Sequence, residues 1–387
     1  MKKVLSFPIM LWFCLSCLMV GAQSPLLTGT IRDSANGKPL AGVSVFLNGT
    51  SKGTVTRTDG SFALAIPPGR FELIVSAIGY ANYLTQINSR NLPSSLRIAL
   101  HTQADELAAI TVEPYLKDGW KRYGRTFWQY FIGTTPNADD CTIKNKEVLR
   151  FHFYIKSNQL SVTAVEPLLI ENKALGYELE YRLERFVCDF AAHIVSYYGY
   201  PLFRDMPTDD EEKKKKWANN RQLAYMGSMM HFMRSLYSRK VIEEGFVVKY
   251  KVPVPNIEKQ RVKGIYTPNI TKTDSIPIDT LHHYWKVLRE PDYFMQTVTD
   301  PDGLMTIQKD QTRVMFFNDD CTVIYGNPKR GIAYAESSIR LMTQQPIGID
   351  ENGSYYPQTE VLCLQSWSIT QNISNLLPRD FDFDAPF

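Results

Sequence analysis

Between residues 26 and 101 every apolar run is cut short by a turn signal, and this leaves no room for a helix of ordinary length. Residues 27–32 read as a strand. Residues 43–47 follow and are stopped by Asn48-Gly49, a pair suited to a tight hairpin. Residues 54–56 come next, and Asp59-Gly60 turns the chain into 62–66, which Pro67-Pro68-Gly69 ends. Residues 71–77 set apolar positions against Glu72 and Ser76, and 83–87 and 96–100 finish the set. About seven short strands at regular spacing predict an antiparallel β-sandwich over residues 26–101.

The pattern of Gly29, Asp33, Pro39, Gly42-Val43, Thr58-Asp59-Gly60, Phe62, Gly69 and Gly79-Tyr80 resembles the carboxypeptidase regulatory-like domain, a transthyretin-like sandwich. Gly60 suits a turn needing positive φ, and Phe62 is expected to point inward. The resemblance implies a fold and no chemistry. Such domains accompany metallocarboxypeptidases without catalysing anything, and they precede the plug of TonB-dependent outer-membrane receptors in Gram-negative bacteria. A zinc carboxypeptidase of that type needs an HxxE pair. None of His101, His152, His193, His231, His282 and His283 has Glu three residues on. Residues 106–112 look like the link that joins such sandwiches to receptor plugs, giving a linker over 102–117, but residues 113–387 are too few for a receptor barrel of that kind.

Lys2 and Lys3, an apolar run over 4–20 and then Gly21, Ala22 and Gln23 predict a secretory signal peptide over 1–22, cleaved between Ala22 and Gln23. The competing readings are a membrane anchor, weakened by Pro8 and Ser16, and a lipoprotein with Cys17 as acceptor, where Cys14 replaces the usual aliphatic residue. No later stretch approaches a transmembrane helix. The formal net charge is +3, or +1 without the two leader lysines, so nothing draws the chain as a whole toward nucleic acid. Cys141, Cys188, Cys321 and Cys363 remain after the leader. Export makes them candidate disulfide cysteines with three pairings open, and four buried free thiols are the alternative. No CxxC spacing supports a zinc ribbon.

Residues 118–387 read as a larger α+β region with antiparallel strands and one long helix, so the whole chain is expected to be mainly β. Trp120, Tyr123, Phe127, Trp128 and Phe131 recur at helical steps. Strands are expected over 148–155, 160–165, 175–186, 246–252, 281–288 and 360–369, with a hairpin around 309–311, a loop-rich stretch over 253–277 and a short helical close over 373–378. The long helix is expected from Thr208, paired with Glu211 as a capping box, to Gly245, with Met226, Met229, Met230, Met233, Leu236 and Tyr237 on its apolar face. Lys213–Lys216 follow four acidic residues, Asp209 to Glu212, and read as a solvated face. From Trp120 onward the chain also resembles a large group of uncharacterised exported proteins with the same sandwich, through Phe131-Ile132-Gly133-Thr134, Pro167–Asn172, Tyr225-Met226-Gly227-Ser228 and Leu376-Leu377-Pro378 with Asp380. That group implies no activity.

Candidate chemistry is thin. Asp139-Asp140 and Asp319-Asp320 sit after asparagines and read as turn formers. His282 and His283, adjacent in an expected strand, point to opposite faces. His231 reads as a satisfied half-buried histidine. Asp380, Asp382 and Asp384 resemble no calcium loop. No GxSxG, HExxH, P-loop or GxGxxG occurs. The expectation is a non-enzymatic cell-envelope protein, without catalytic, cofactor-binding or metal residues, at the periplasm or outer membrane of a Gram-negative bacterium. Its sandwich is a docking module and its larger domain binds an envelope protein or glycan, with Tyr198, Tyr200 and Tyr237 as contact aromatics. The alternatives are a hydrolase of peptide or cell-wall material and an accessory subunit of a TonB-dependent transporter.

Overall fold

The computed structural model describes residues 24–102, 115–267, 276–309, 312–318 and 320–383. The expected leader with Cys14, Cys17, Ala22 and Gln23, nearly all of the expected linker, and Asp319 and Asp384 lie outside the described residues.

The sandwich is built from β1 (Leu26–Asp33), β2 (Ser44–Leu47), β3 (Gly53–Val55), β4 (Ser61–Ala65), β5 (Arg70–Ser76), β6 (Tyr83–Asn88) and β7 (Leu96–Leu100). One sheet runs β4-β1-β7 and the other β3-β2-β5-β6. All pairs are antiparallel except β1 with β7, because β2 to β6 together form the crossover that a parallel pair requires. Leu27, Ile31, Val45, Leu47, Phe62, Leu73, Val75 and Ile98 fill the space between the sheets. Gly29 allows that closure: a Cβ there would sit 2.5 Å from the Phe62 ring.

A second core lies under α1 (Gly119–Phe131), β8 (Cys141–Ile143), β9 (Leu149–Tyr154), β10 (Gln159–Ala164), β11 (Leu168–Asn172), β12 (Tyr177–Asp189) and β13 (Ile194–Asp205). β12 pairs along its length with β13; on its other edge its first part pairs with β11 and its last part with β10. The aromatic stripe of α1 is core: Phe127 stacks on Phe131 at 4.8 Å and meets Phe186 edge-on at 5.0 Å.

The third group comprises α2 (Glu211–Tyr225), α3 (Met229–Ser238), β14 (Phe246–Pro253), α4 (Ile257–Ile265), α5 (Ile278–Arg289), β15 (Tyr293–Thr297), β16 (Met305–Ile307), β17 (Arg313–Met315), β18 (Cys321–Asn327), β19 (Ile332–Leu341), β20 (Ile347–Ile349), β21 (Tyr355–Tyr356), β22 (Val361–Gln365) and α6 (Ser366–Thr370). One sheet runs β15-β14-β18-β19-β22 and another β16-β17-β20-β21. Met229, Phe232, Met233 and Leu236 of α3 are buried in one core with residues of both sheets.

Five expectations change in detail, one of them being the strand expected over 360–369, which ends at Gln365 where α6 begins. The long helix is divided into α2 and α3 because Gly227 adopts φ +74 and Ser228 starts a new helix, its Oγ accepting from the His231 backbone N–H at 3.1 Å. The cap of α2 is Asp210, which accepts from Lys213 N at 3.1 Å, with Thr208 two residues outside. Residues 281–288 are helix, not strand: Leu281, Tyr284, Val287 and Leu288 fall at helical steps and pack with Val262 and Tyr266 of α4, itself a helix in the stretch expected to be loop.

The sandwich is seated on the rest of the chain through its Asn48-Gly49 turn. Gly49 N donates to Pro201 O at 2.8 Å, Phe203 N to Thr50 O at 3.0 Å, and Arg379 N to Gly49 O at 2.7 Å. Asp380 accepts from Ser51 N at 2.9 Å and from Ser51 Oγ at 2.6 Å. Beside this clamp, Phe46 and Ile74 from the outer face of β2 and β5 are fully buried against Leu202 and Tyr200, and the Arg182 guanidinium lies 4.5 Å from the centre of the Phe46 ring.

Candidate functional site

A cleft of about 1020 Å³ opens beside the β15-β14-β18-β19-β22 sheet. Strand register builds its floor. Tyr250 of β14 faces Cys321 of β18, which faces Ile339 of β19. One row further on, Lys251, Asp320 and Arg340 therefore come side by side. Arg340 donates to Asp320 through Nε at 2.5 Å and Nη2 at 2.8 Å, and Lys251 Nζ lies 3.3 Å from the same carboxylate. The hydrogen bonds from Arg340, followed by that from Lys251, hold the Asp320 carboxyl below its ordinary range.

The opposite wall begins where Pro253 and Pro255 end β14 and Asn256 caps α4, accepting from Lys259 N at 2.8 Å. The helix then presents Lys259, Gln260 and Lys263. Buried Lys259 donates to Glu290 O and lies 3.5 Å from Asp292, and Lys263 lies 3.8 Å from the same carboxylate. Tyr293 lines the cleft with the Lys251 ammonium 5.2 Å from its ring centre. What reaches solvent carries an excess of positive charge: the Arg340 and Lys263 side chains are 51% and 58% exposed, whereas of the two carboxylates Asp320 is 13% and Asp292 48% exposed. Both carboxylates of the cleft are pulled toward the ionised form, Asp292 by its own backbone N–H first and then by Lys259. Neither is poised as a general acid at neutral pH.

The residues singled out in sequence fall elsewhere. The His231 Nδ1 accepts from Gly227 N at 3.1 Å and its Nε2 faces Glu244 at 3.2 Å. Burial lowers its proton affinity, partly offset by Glu244, so the neutral ring pins the α2–α3 break. His282 and His283 lie on α5, and His283 pairs with Glu258 at 2.9 Å. Asp139 and Asp140 close a 3-10 turn before β8. Asp380 is occupied by Ser51 and Lys52. Tyr200 is covered by the sandwich and Tyr237 carries the Arg313 guanidinium 3.8 Å from its ring centre, whereas Tyr198 is 43% exposed. Among the described residues no three His, Cys, Asp or Glu side chains are grouped to hold a metal, and no helix is long and apolar enough to cross a membrane.

Cys141, Cys188, Cys321 and Cys363 are free thiols. Cys321 and Cys363 share a row with Ile339 between them, so two strand spacings of about 4.8 Å each separate them, beyond disulfide reach. Burial raises both thiols to about 12.

Comparison with known proteins bears on the sandwich. Residues 27–112 match the family model of the CarboxypepD_reg-like domain. TonB-dependent receptor P39 of Formosa agariphila is 35% identical over 112 residues, which are 29% of this chain and 10% of that receptor. TonB-dependent receptor P3 of the same organism is 26% identical over 114 residues, 30% of this chain and 11% of the receptor. The chain thus spans about a tenth of the length of these curated relatives. A solved DUF3823 family protein from Bacteroides ovatus aligns over 48% of this chain and 82% of its own at 11% identity, with a TM-score of 0.16. The N-terminal sandwich thus lies within residues 27–112, the stretch that matches the CarboxypepD_reg-like domain.

Proposed function

We propose that this chain is a non-enzymatic cell-envelope protein whose CarboxypepD_reg-like domain is a docking and spacing module and whose larger region binds an envelope protein or glycan. The observation that carries this reading is the open charged cleft, whose carboxylates are neutralised by neighbouring cations rather than set apart as acid and base. The clamp at Gly49 and Asp380 supports it as well, since a fixed sandwich spaces the cleft from whatever the sandwich engages. On this reading residues 1–22 direct export, with cleavage between Ala22 and Gln23, to the periplasm or the outer membrane.

The test is affinity isolation of the tagged protein from solubilised envelopes, followed by mass spectrometry and sugar analysis, with a strain expressing Lys251→Gln/Lys263→Gln as control. Recovery of a defined partner or glycan from the parent and its loss from the variant is expected. An empty eluate from both sinks the reading. A second reading, an accessory subunit of a TonB-dependent transporter, is favoured by the two receptor matches over the N-terminal region. Co-purification of an outer-membrane barrel protein that persists in the cleft variant supports it.

A further inference from the structure

The cleft's exposed chemistry is more specific than its size. Three cations face solvent there, those of Lys251, Arg340 and Lys263, against one exposed carboxylate, Asp292, which lies beside Lys259 and Lys263; Asp320 is screened beneath the other two cations and Lys259 also donates to Glu290 O, so the cleft keeps a positive excess. The remaining lining supplies amides and hydroxyls from Asn256, Gln260, Asn318 and Thr343, and one half-exposed ring from Tyr293. A ligand suited to this surface is anionic, is rich in hydroxyl groups that need many hydrogen-bond partners, and has an apolar face to lay on a ring. An acidic peptide meets the first requirement only.

We propose that the cleft binds an acidic oligosaccharide, with Arg340 and Lys251 holding one carboxylate, Lys263 at the α4 wall holding a second, and Tyr293 carrying a sugar ring. Asp320 is a positioning residue: by accepting both Arg340 nitrogens it fixes the guanidinium fork, and it touches no ligand itself. This inference rests on the binding role of the cleft and names its ligand class.

The experiment is calorimetric titration of the purified protein with oligogalacturonate of four to six units, with maltohexaose, poly-glutamate and inorganic phosphate as comparison probes at matched ionic strength. Oligogalacturonate is expected to bind, and to weaken as salt is raised. Lys251→Gln and Lys263→Gln are each expected to weaken it by about tenfold, the scale of one lost charge-assisted hydrogen bond. Tyr293→Ala is expected to weaken it by a few-fold, and Arg289→Gln, outside the cleft, to leave it unchanged. Asp320→Asn is expected to weaken it although a negative charge is removed; a gain in affinity would overturn the positioning role. Far-UV circular dichroism of each variant separates lost binding from lost folding. Poly-glutamate binding more tightly than the saccharide, phosphate displacing it at equal concentration, or no binding by the folded parent would each overturn the proposal. In that last case envelope material that still depends on Lys251 and Lys263 would leave the broader binding role standing, and its absence would remove both.

Discussion

Phe46 and Ile74 face each other across β2 and β5 and point away from the core of their own sandwich. Both are completely buried, so the contact with Leu202 and Tyr200 is part of the folded core and not a loose touch. Phe46→Ala is expected to cost about 3–5 kcal/mol, the range for emptying a buried phenylalanine site. Guanidinium denaturation checks it, and a loss below about 1 kcal/mol would show that the seam hardly contributes to stability. Gly227 is the other position where one atom decides. Its φ is +74, and a Cβ there would lie 2.4 Å from the Tyr325 ring. Gly227→Ala is expected to destabilise by about 2 kcal/mol or more through strain and displaced packing; an unchanged melting curve would refute this. The buried seam is legible in the sequence. Val45-Phe46-Leu47 and Leu73-Ile74-Val75 are unbroken apolar triplets, whereas a sheet with one wet face alternates. The charged row at Lys251, Asp320 and Arg340 was not legible, because it depends on the register of three strands distant in sequence and no local spacing encodes that.

The β2–β3 turn behaves as an element of the larger region as much as of the sandwich. Its backbone completes the edge of β13 on one side and the segment at Arg379 on the other. Asp380 accepts from both the N–H and the hydroxyl of Ser51 and lies 3.7 Å from Lys52. Asp380→Ala leaves those donors to water, and amide exchange at residues 49–51 is expected to rise about 10- to 100-fold, matching the 1.5–3 kcal/mol of a hydrogen bond to a charged group. Unaltered exchange would show that backbone contacts alone hold the turn. Sequence marked this turn by Asn48-Gly49 but gave no sign of its partner, since residues 201 and 379 approach it only through the tertiary fold. Helix and strand were separable where periodicity was long, as in α1 and β12. They were confused at α5, where Tyr284, Trp285 and Val287 have strand propensity while their spacing is helical.

At the scale of the whole molecule the seam has a titratable group. Asp350, in the turn between β20 and β21, is raised to about 6 by burial, partly offset by Arg70 of the sandwich and by buried Arg379. A carboxyl with a raised pKa binds protons more tightly folded than unfolded. Its stabilising contribution is fully present below the ordinary value of 3.8 and is lost as pH rises through about 6. His231 acts in the opposite sense, because its lowered pKa supports folding above 6.5 and withdraws that support as pH falls. The raw pH profile therefore mixes the two, and the informative quantity is the difference between the parent and Asp350→Asn. At pH 7.5 the variant is expected to be more stable by about 1–2 kcal/mol, the shift discounted for the solvent that reaches this half-buried carboxyl. That advantage is expected to shrink steadily between pH 7 and pH 4, where the parent carboxyl takes up its proton and both chains carry a neutral group. Urea denaturation at four pH values in that window measures it; an advantage that stays constant would show that Asp350 titrates like a solvent-exposed carboxylate in the folded protein, and one that grows toward acid would show that its pKa is lowered there.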